Sequence, residues 1–495
     1  MGPTPGVSGP ISWRPRGRPA APGEGDSQMV DASSVRRSVA GVVALVAVAA
    51  FAGGCTSEEQ EPPEADPSPS ASASDDGVLD FTVYGPEAVT DAYRGLAEQW
   101  NADHPDTRVE VTAYPDRQRA SAAVANAREA GTAPDLFLAD RQDLGTLVED
   151  EAVRRVDDLL AAREVDFGDG FSRVGLAAFS DQAALQCMPV DVSPLVVYYN
   201  PQLIELDQIA DEGRAEITAE RGWTIGEFGR AAAQPRRPGV RGLHVEPTLE
   251  QIAPFVWSGG GEVVDDQVDP TTLTLSDDAS RDALERLLEV VRDPGLTFGQ
   301  DALERRSALA RFKAGQLGMM LGYRDLTAEL RRDPSLTFDV MPLPVVNSGA
   351  TIASITGACI SADSTDEAGA ADFLAALTSQ SAQDALAATG YVMPANTASL
   401  DDEAFLQAGQ RPLNSQVFLR EVRDVQLLPA TASWSELESS LTGALDDLFY
   451  LPVIDPLEER LSAIDDASVP FLDPEAASES PSTDSSSSPA PSPSD

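Results

Sequence analysis

VLDFTVYGPEAVTDAYRGLAEQWNADHPDTRVEVTAY, residues 78 to 114, holds two hydrophobic rhythms in succession. VLDFTVY (78 to 84) reads as a buried strand. Val89, Ala92, Tyr93, Leu96 and Trp100 then recur at the three- and four-residue steps that line one face of a helix, and RVEVTAY (108 to 114) is a second strand. A helix over about 117 to 129 and the strand DLFLAD (135 to 140) prolong the pattern. Strand, helix, strand, helix, strand predicts a parallel sheet with helical crossovers, and so the α/β class.

Ligands bind such sheets beyond the carboxyl ends of the strands. Those ends carry Tyr84 and Glu87, Tyr114 and Asp116, and Asp140 and Arg141, so polar and aromatic groups from three strands converge on one edge. Each also has a plain structural reading. Glu87 suits the positive end of a helix, Asp116 suits an N-cap, and Asp140 with Arg141 suits a surface pair.

Working outward, composition bounds the partners. Acidic residues number 81 against 35 basic ones, a formal charge of −46, and Lys313 is the sole lysine. Such acidity argues against nucleic acid or an anionic membrane face as partner, and fits solubility outside the cell. With only His104 and His244, a multi-histidine metal site is not expected, nor is any cofactor; three cysteines do not make a disulfide-dense scaffold. Hydrophobic residues at 42% support a globular body, and the roughly 440 residues after Cys55 suggest two or three units.

The N-terminal region reads as an address. Arg36 and Arg37 precede the apolar run Val39 to Ala52, whose 14 residues are too few to span a bilayer, which takes about 20. Residues 1 to 54 are therefore expected to be a signal region, with Met29 as the start that gives it ordinary length. Ala52, Gly53, Gly54 and Cys55 resemble a bacterial lipobox, which implies lipidation of the Cys55 thiol and a membrane anchor. Residues 55 to 77, mostly SEEQEPPEADPSPSASASDDG, are expected to be a disordered tether with a reach on the order of 25 Å. The Ser/Pro-rich residues 473 to 495 are expected to be a disordered tail.

Five stretches within the body, MPVDVSPLVVYYNPQLI (188 to 204), GWTIGEFGRAAA (222 to 233), WSGGGEVVDD (257 to 266), ALARFKAGQLGMMLGY (308 to 323) and FLAALTSQSAQDALAATGYVMPANTAS (373 to 399), resemble, in this order, the extracytoplasmic solute-binding proteins of ABC importers, in the class that includes maltose- and other sugar-binding lipoproteins. The resemblance implies a two-lobed periplasmic-binding-protein fold of type II kind, with a hinge the chain crosses more than once. It implies a first lobe of 78 to 190 and 354 to 396, and a second of 191 to 353 and 397 to 472. It also implies a monomer that is not an enzyme, closes on a small solute such as a sugar, and delivers it to the permease subunits of the transporter.

On the family's pattern Glu87, Asp140 and Arg141 of the first lobe and Tyr323, Arg324 and Trp434 of the second read the solute. Carboxylates and arginines would meet hydroxyls, and aromatic faces would stack on sugar C–H patches. Trp257 is a further candidate; the alternative for all three aromatics is packing in the core. Tyr198 and Tyr199 read as core, and Lys313 as a helix-end charge. Crossing strands in this family run side by side at the hinge, so Cys187 and Cys359 are expected to come within disulfide reach, the alternative being two buried thiols.

Two other functions fit the composition: a surface-anchored glycan hydrolase using a carboxylate pair, and a receptor reporting ligand to a sensor kinase. No nucleophile elbow, zinc motif or phosphate loop supports an enzyme.

Overall fold

In a computed structural model of the chain, residues 77–209, 216–235, 237–451 and 456–479 are described. All lie within the unit Ala71–Asp495. The signal region, Met29, Cys55 and all of the tether except Gly77 lie outside the described residues.

The opening stretch folds as its periods dictate. Strand β1 (Val78–Tyr84), the helix Glu87–Asp103, β2 (Arg108–Tyr114), the helix Arg117–Glu129 and β3 (Leu136–Asp140) follow one another, and β1 pairs in parallel with both β2 and β3. Two-residue strands β4 (Ser180–Asp181) and β5 (Ala184–Leu185) form a small hairpin before β6 (Cys187–Pro194). The remaining strands are β7 (Val196–Tyr199), β8 (Arg241–His244), β9 (Leu317–Gly322), β10 (Asp339–Met341) and β11 (Ala353–Ile360). They make two principal sheets, β2-β1-β3-β11-β6 and β10-β7-β9-β8.

Each sheet has its own core, and the two cores define two lobes. Leu79, Phe81, Val83 and Phe373 pack in the first, and Val197, Tyr198, Leu243, Met319 and Phe418 in the second. Burial of these side chains, worth roughly 1.5–3 kcal/mol each, is what holds each lobe together. The chain passes from the first sheet to the second at Leu195, the single residue between β6 and β7, and returns between β10 and β11. It crosses again beyond Ala395, which lies in the first core, to reach Phe405 in the second. A hinge of several strands results, so lobe movement needs only small dihedral changes at the crossings.

Cys187 and Cys359 are directly opposed on the antiparallel pair β6 and β11, both fully buried, and their sulfurs are bonded with Cα atoms 4.3 Å apart. This pair sits at the end of the ladder away from the crossing, where Ala353 faces Pro194. The bond thus lies inside the first lobe rather than at the hinge.

At the C-terminal end, Pro474–Glu479 form a short helix where an unstructured tail is expected. Pro474 has the φ that suits a first helical position, and the Asp473 carboxylate accepts the Ala476 N–H at 3.0 Å. Residues 480–495 lie outside the described residues.

Candidate functional site

The carboxyl edge of the first sheet sets the floor of the site. Asp140, the last residue of β3, is paired with Thr356 of β11, and Thr356 is paired on its other side with Asp191 of β6. With neighbouring strands about 4.8 Å apart, the two acids stand roughly 10 Å apart along one row. Between Thr356 and Gly357 the register slips: Thr356 faces Asp191 but Gly357 faces Pro189, so Val190 has no counterpart on β11. Pro189 has no N–H to give to the ladder, and a bulge at such a point re-aims the residue beside it. From β1 the Tyr84 hydroxyl reaches the Thr356 hydroxyl at 3.3 Å.

Three adjoining cavities run over this edge. One of about 230 Å³ is lined by Tyr84, Asp191, Tyr323, Asp325, Ser354 and Thr356 among others. The next, of about 200 Å³, shares Ser354 and adds Asp140, Arg141, Glu250, Leu428 and Trp434. The largest, about 460 Å³, shares Arg117, Gln142 and Glu250 with the second and reaches Ser435 and Glu438. Every one draws its walls from both lobes.

Local structure explains how the walls are held. Asp140 accepts the Gln142 N–H at 3.0 Å and so caps a short 3-10 turn, which turns Arg141 into the cleft; its guanidinium donates to the Leu428 carbonyl at 3.0 Å. Thr248 caps the helix Leu249–Gly259 through the Gln251 N–H, placing Glu250 in its first turn. Tyr323 follows β9 directly, and its hydroxyl donates to the Glu250 carboxylate.

Burial and like charge shape the electrostatics. Asp191 is pushed up to about 8, by burial first and then by Asp325 and Asp140, against the Met393 N–H it accepts at 2.8 Å and the nearby Arg324. Asp140 is pushed up to about 6 by burial, with Asp143 and Glu250 adding to it; the Gln142 N–H and Arg117, 3.9 Å away, oppose. Glu438 rises to about 7, through burial and then Glu250, with Arg117 opposing. Burial also raises the Tyr84 and Tyr323 phenols well above their ordinary value, Glu250 adding to Tyr323. Near neutrality Asp191 is thus mostly protonated and Glu438 partly so, able to donate as well as accept hydrogen bonds, whereas Asp140 is mostly ionised.

Of the residues expected from sequence, Tyr84, Asp140, Arg141 and Tyr323 meet in the cleft. Glu87 is exposed in the first turn of its helix and lines none of the three cavities. Asp116 caps the helix Arg117–Glu129, accepting the Arg119 N–H at 2.9 Å and pairing with its guanidinium at 3.0 Å. Arg324 is turned away: it is fully buried in the second lobe, donating to the Phe405 carbonyl at 2.9 Å and lying over the rings of Phe405 and Phe418. Trp257 is 3% exposed and packs in the second core. Trp434 belongs to that core too, at 2% exposure, and only borders the middle cavity, so its ring face is not open for stacking. Lys313 ends the helix Ala308–Lys313 and pairs with Glu329.

Asp191, Glu250, Asp325, Glu438 and Arg117 line the cleft without having been singled out. Asp191 had a visible signal, a charge between Val190 and Val192 in a strand otherwise buried. Glu250 and Asp325 look in sequence like ordinary first-turn acids, and only the tertiary fold separates them from Glu87.

The fold has many solved counterparts. An ABC substrate-binding protein of Listeria monocytogenes in complex with cycloalternan is 18% identical at a TM-score of 0.67, covering 79% of this chain and 98% of its own. The sugar-binding protein MalE of Xanthomonas citri is 15% identical at a TM-score of 0.69, covering 80% and 97%. The GacH receptor of Streptomyces glaucescens, solved unliganded and with acarbose, is 18% identical at a TM-score of 0.65, covering 80% and 98%. No curated protein sequence matches the chain. Residues 95–412 match the bacterial extracellular solute-binding proteins as a family, and on that match the chain belongs to it.

Proposed function

We propose that this protein is the membrane-anchored, extracytoplasmic substrate-binding component of an ABC importer, capturing a carbohydrate between its lobes and delivering it to a permease. The observation that carries this reading is the cleft itself, in which Tyr84, Asp140 and Arg141 from one lobe face Glu250, Tyr323 and Glu438 from the other. Carboxyl, guanidinium and phenol groups fixed on two rigid lobes suit a ligand with hydroxyls in set directions. Because both lobes contact the solute only when closed, the bound solute favours the closed state, and closure would present the shape a permease reads. Cys55 supplies the anchor and the segment after it the reach. Turnover is not part of this reading.

A thermal-shift screen of the purified protein over mono- and oligosaccharides tests it. A saccharide at 100 times its dissociation constant adds roughly 2.7 kcal/mol to native stability. The reading requires at least one saccharide to raise the melting temperature and to be recovered unchanged. No shift from any saccharide, or recovery of a cleaved product, would overturn it.

A further inference from the structure

The cavity of about 230 Å³ has a lining unlike its neighbours. Tyr84, Tyr93, Tyr323 and Tyr391 surround it, Asp191 and Asp325 enter it, and no arginine, lysine or histidine lines it. We propose that this cavity is an ammonium subsite, so that the saccharide bound in the cleft carries a protonated amino group; the proposal rests on the carbohydrate reading above.

Aromatic rings draw cations to their faces, and carboxylates supply the countercharge. Here the rings are held in place by their own hydroxyls: Tyr84 meets Thr356 at 3.3 Å, Tyr323 donates to Glu250, and Tyr391 accepts from Arg332 at 2.8 Å. Neither aspartate has an ion pair among the described residues. Asp325 opens the helix Asp325–Arg331, and its carboxylate accepts only the Leu326 N–H, at 2.8 Å. Asp191 faces Asp325 and Asp140 as like charges; the cation nearest in effect, Arg324, spends its hydrogen bonds on Phe405 and Ser415 inside the second lobe. A neutral sugar would bring these acids no countercharge. An ammonium group placed among them would satisfy both.

The proton balance is explicit. Asp191 is pushed up to about 8 by burial and its acidic neighbours, so its carboxyl is mostly protonated at pH 7 in the empty cleft. An arriving ammonium becomes the countercharge, the carboxyl ionises, and one proton leaves to solvent for each ammonium bound. Because a sugar amine, like an α-amino group at about 7.7–8.0, loses its own proton in the range where the carboxyl ionises, affinity for an amino saccharide should pass through a maximum near neutral pH, whereas affinity for a neutral one should show no such maximum.

Calorimetry on the purified full body decides this, with glucosamine oligomers, their N-acetylated counterparts of equal length, maltooligosaccharides, and putrescine as a diamine without sugar. The expected result is at least tenfold tighter binding of the glucosamine oligomers than of the N-acetylated series, with proton release in buffers of differing ionisation enthalpy. Asp325→Asn, at a position open to the cleft, should abolish that preference without changing the melting temperature, and Asp191→Asn should abolish the proton release. Equal or tighter binding of the neutral series, with the ratio untouched by Asp325→Asn, overturns the ammonium subsite and leaves the carbohydrate reading standing. Binding of putrescine alone, or of none of the four, overturns the amino-saccharide proposal, and the carbohydrate reading falls with it only if no saccharide of the thermal-shift screen binds.

Discussion

Asp140 and Asp191 flank Thr356 in a single row across three neighbouring strands, one at the end of β3 and the other beside a bulge in β6. Neither position is chosen by local propensity, since acids are poor residues for strand interiors. The row lies where the lobes meet, and Asp140 strengthens the hold of Asp191 on its proton, burial being the first cause of the upward shift in both.

The pH dependence of stability follows from that row. Asp140, Glu438 and Asp191 hold protons in the folded state up to about 6, 7 and 8, whereas the unfolded chain releases them near 4. Between those limits the native state binds more protons, so their contribution is fully present below about pH 4 and is lost as the pH rises through the folded values. Urea unfolding of the ligand-free protein should show stability falling from pH 5 to pH 8. Asp191→Asn, which keeps an acceptor for the Met393 N–H, should flatten that fall; an unchanged slope would contradict the assignment.

Cys187 and Cys359 are 172 residues apart in sequence. Closing so long a loop restricts the unfolded chain, and the chain-entropy argument puts the stabilisation at about 5 kcal/mol. Because the bond lies within the first lobe, reduction should lower the unfolding midpoint strongly and leave saccharide affinity within about twofold. Two reactive thiols in the denatured, unreduced protein would show that the bond is absent.

Trp434 is a core residue by burial, and its loss should be felt as one. Trp434→Ala is expected to remove about 3–5 kcal/mol of stability, the usual range for a large buried aromatic. Trp434→Phe should recover much of it. Were Trp434→Ala to weaken binding with no change in the unfolding midpoint, the ring would instead be acting on the ligand.

Cys55 can be tested in the cell. The wild-type protein should partition with membranes, and Cys55→Ala should be found in the medium, because two acyl chains at roughly 0.8 kcal/mol per buried CH₂ hold a protein durably. Equal release of both would remove the anchor.

The first lobe was legible because its signals are local. The periods of VLDFTVY and of Val89 to Trp100 place strand and helix without help from the rest of the chain, and the strand ends then put Tyr84, Asp140 and Arg141 at the cleft. The second lobe's contribution was not legible in the same way. Arg324 and Asp325 are adjacent, yet one is buried under Phe405 and Phe418 while the other opens into the cleft. That choice is set by the packing of helices distant in sequence. For Trp257 and Trp434 the sequence leaves stacking and core packing both open, and both side chains pack in the second core, where a large apolar area is most stabilising.

Glu250 is the acid on which the charges of the cleft converge. It accepts the Tyr323 hydroxyl and raises Tyr323, Asp140 and Glu438 together. Glu250→Gln keeps an oxygen to accept the phenol's proton and removes the charge, so packing should survive while the electrostatics change. Relieved of a like neighbour, Asp140 and Glu438 should ionise at lower pH, and the loss of stability between pH 5 and pH 8 should shrink. It should not vanish, since burial is the larger cause for both acids. Saccharide affinity should fall at least fivefold at neutral pH, because a carboxylate accepts hydroxyl hydrogen bonds more strongly than an amide does. A variant whose pH slope matches the wild type would mean that Glu250 does not face these groups, and that the lobes close differently around the ligand.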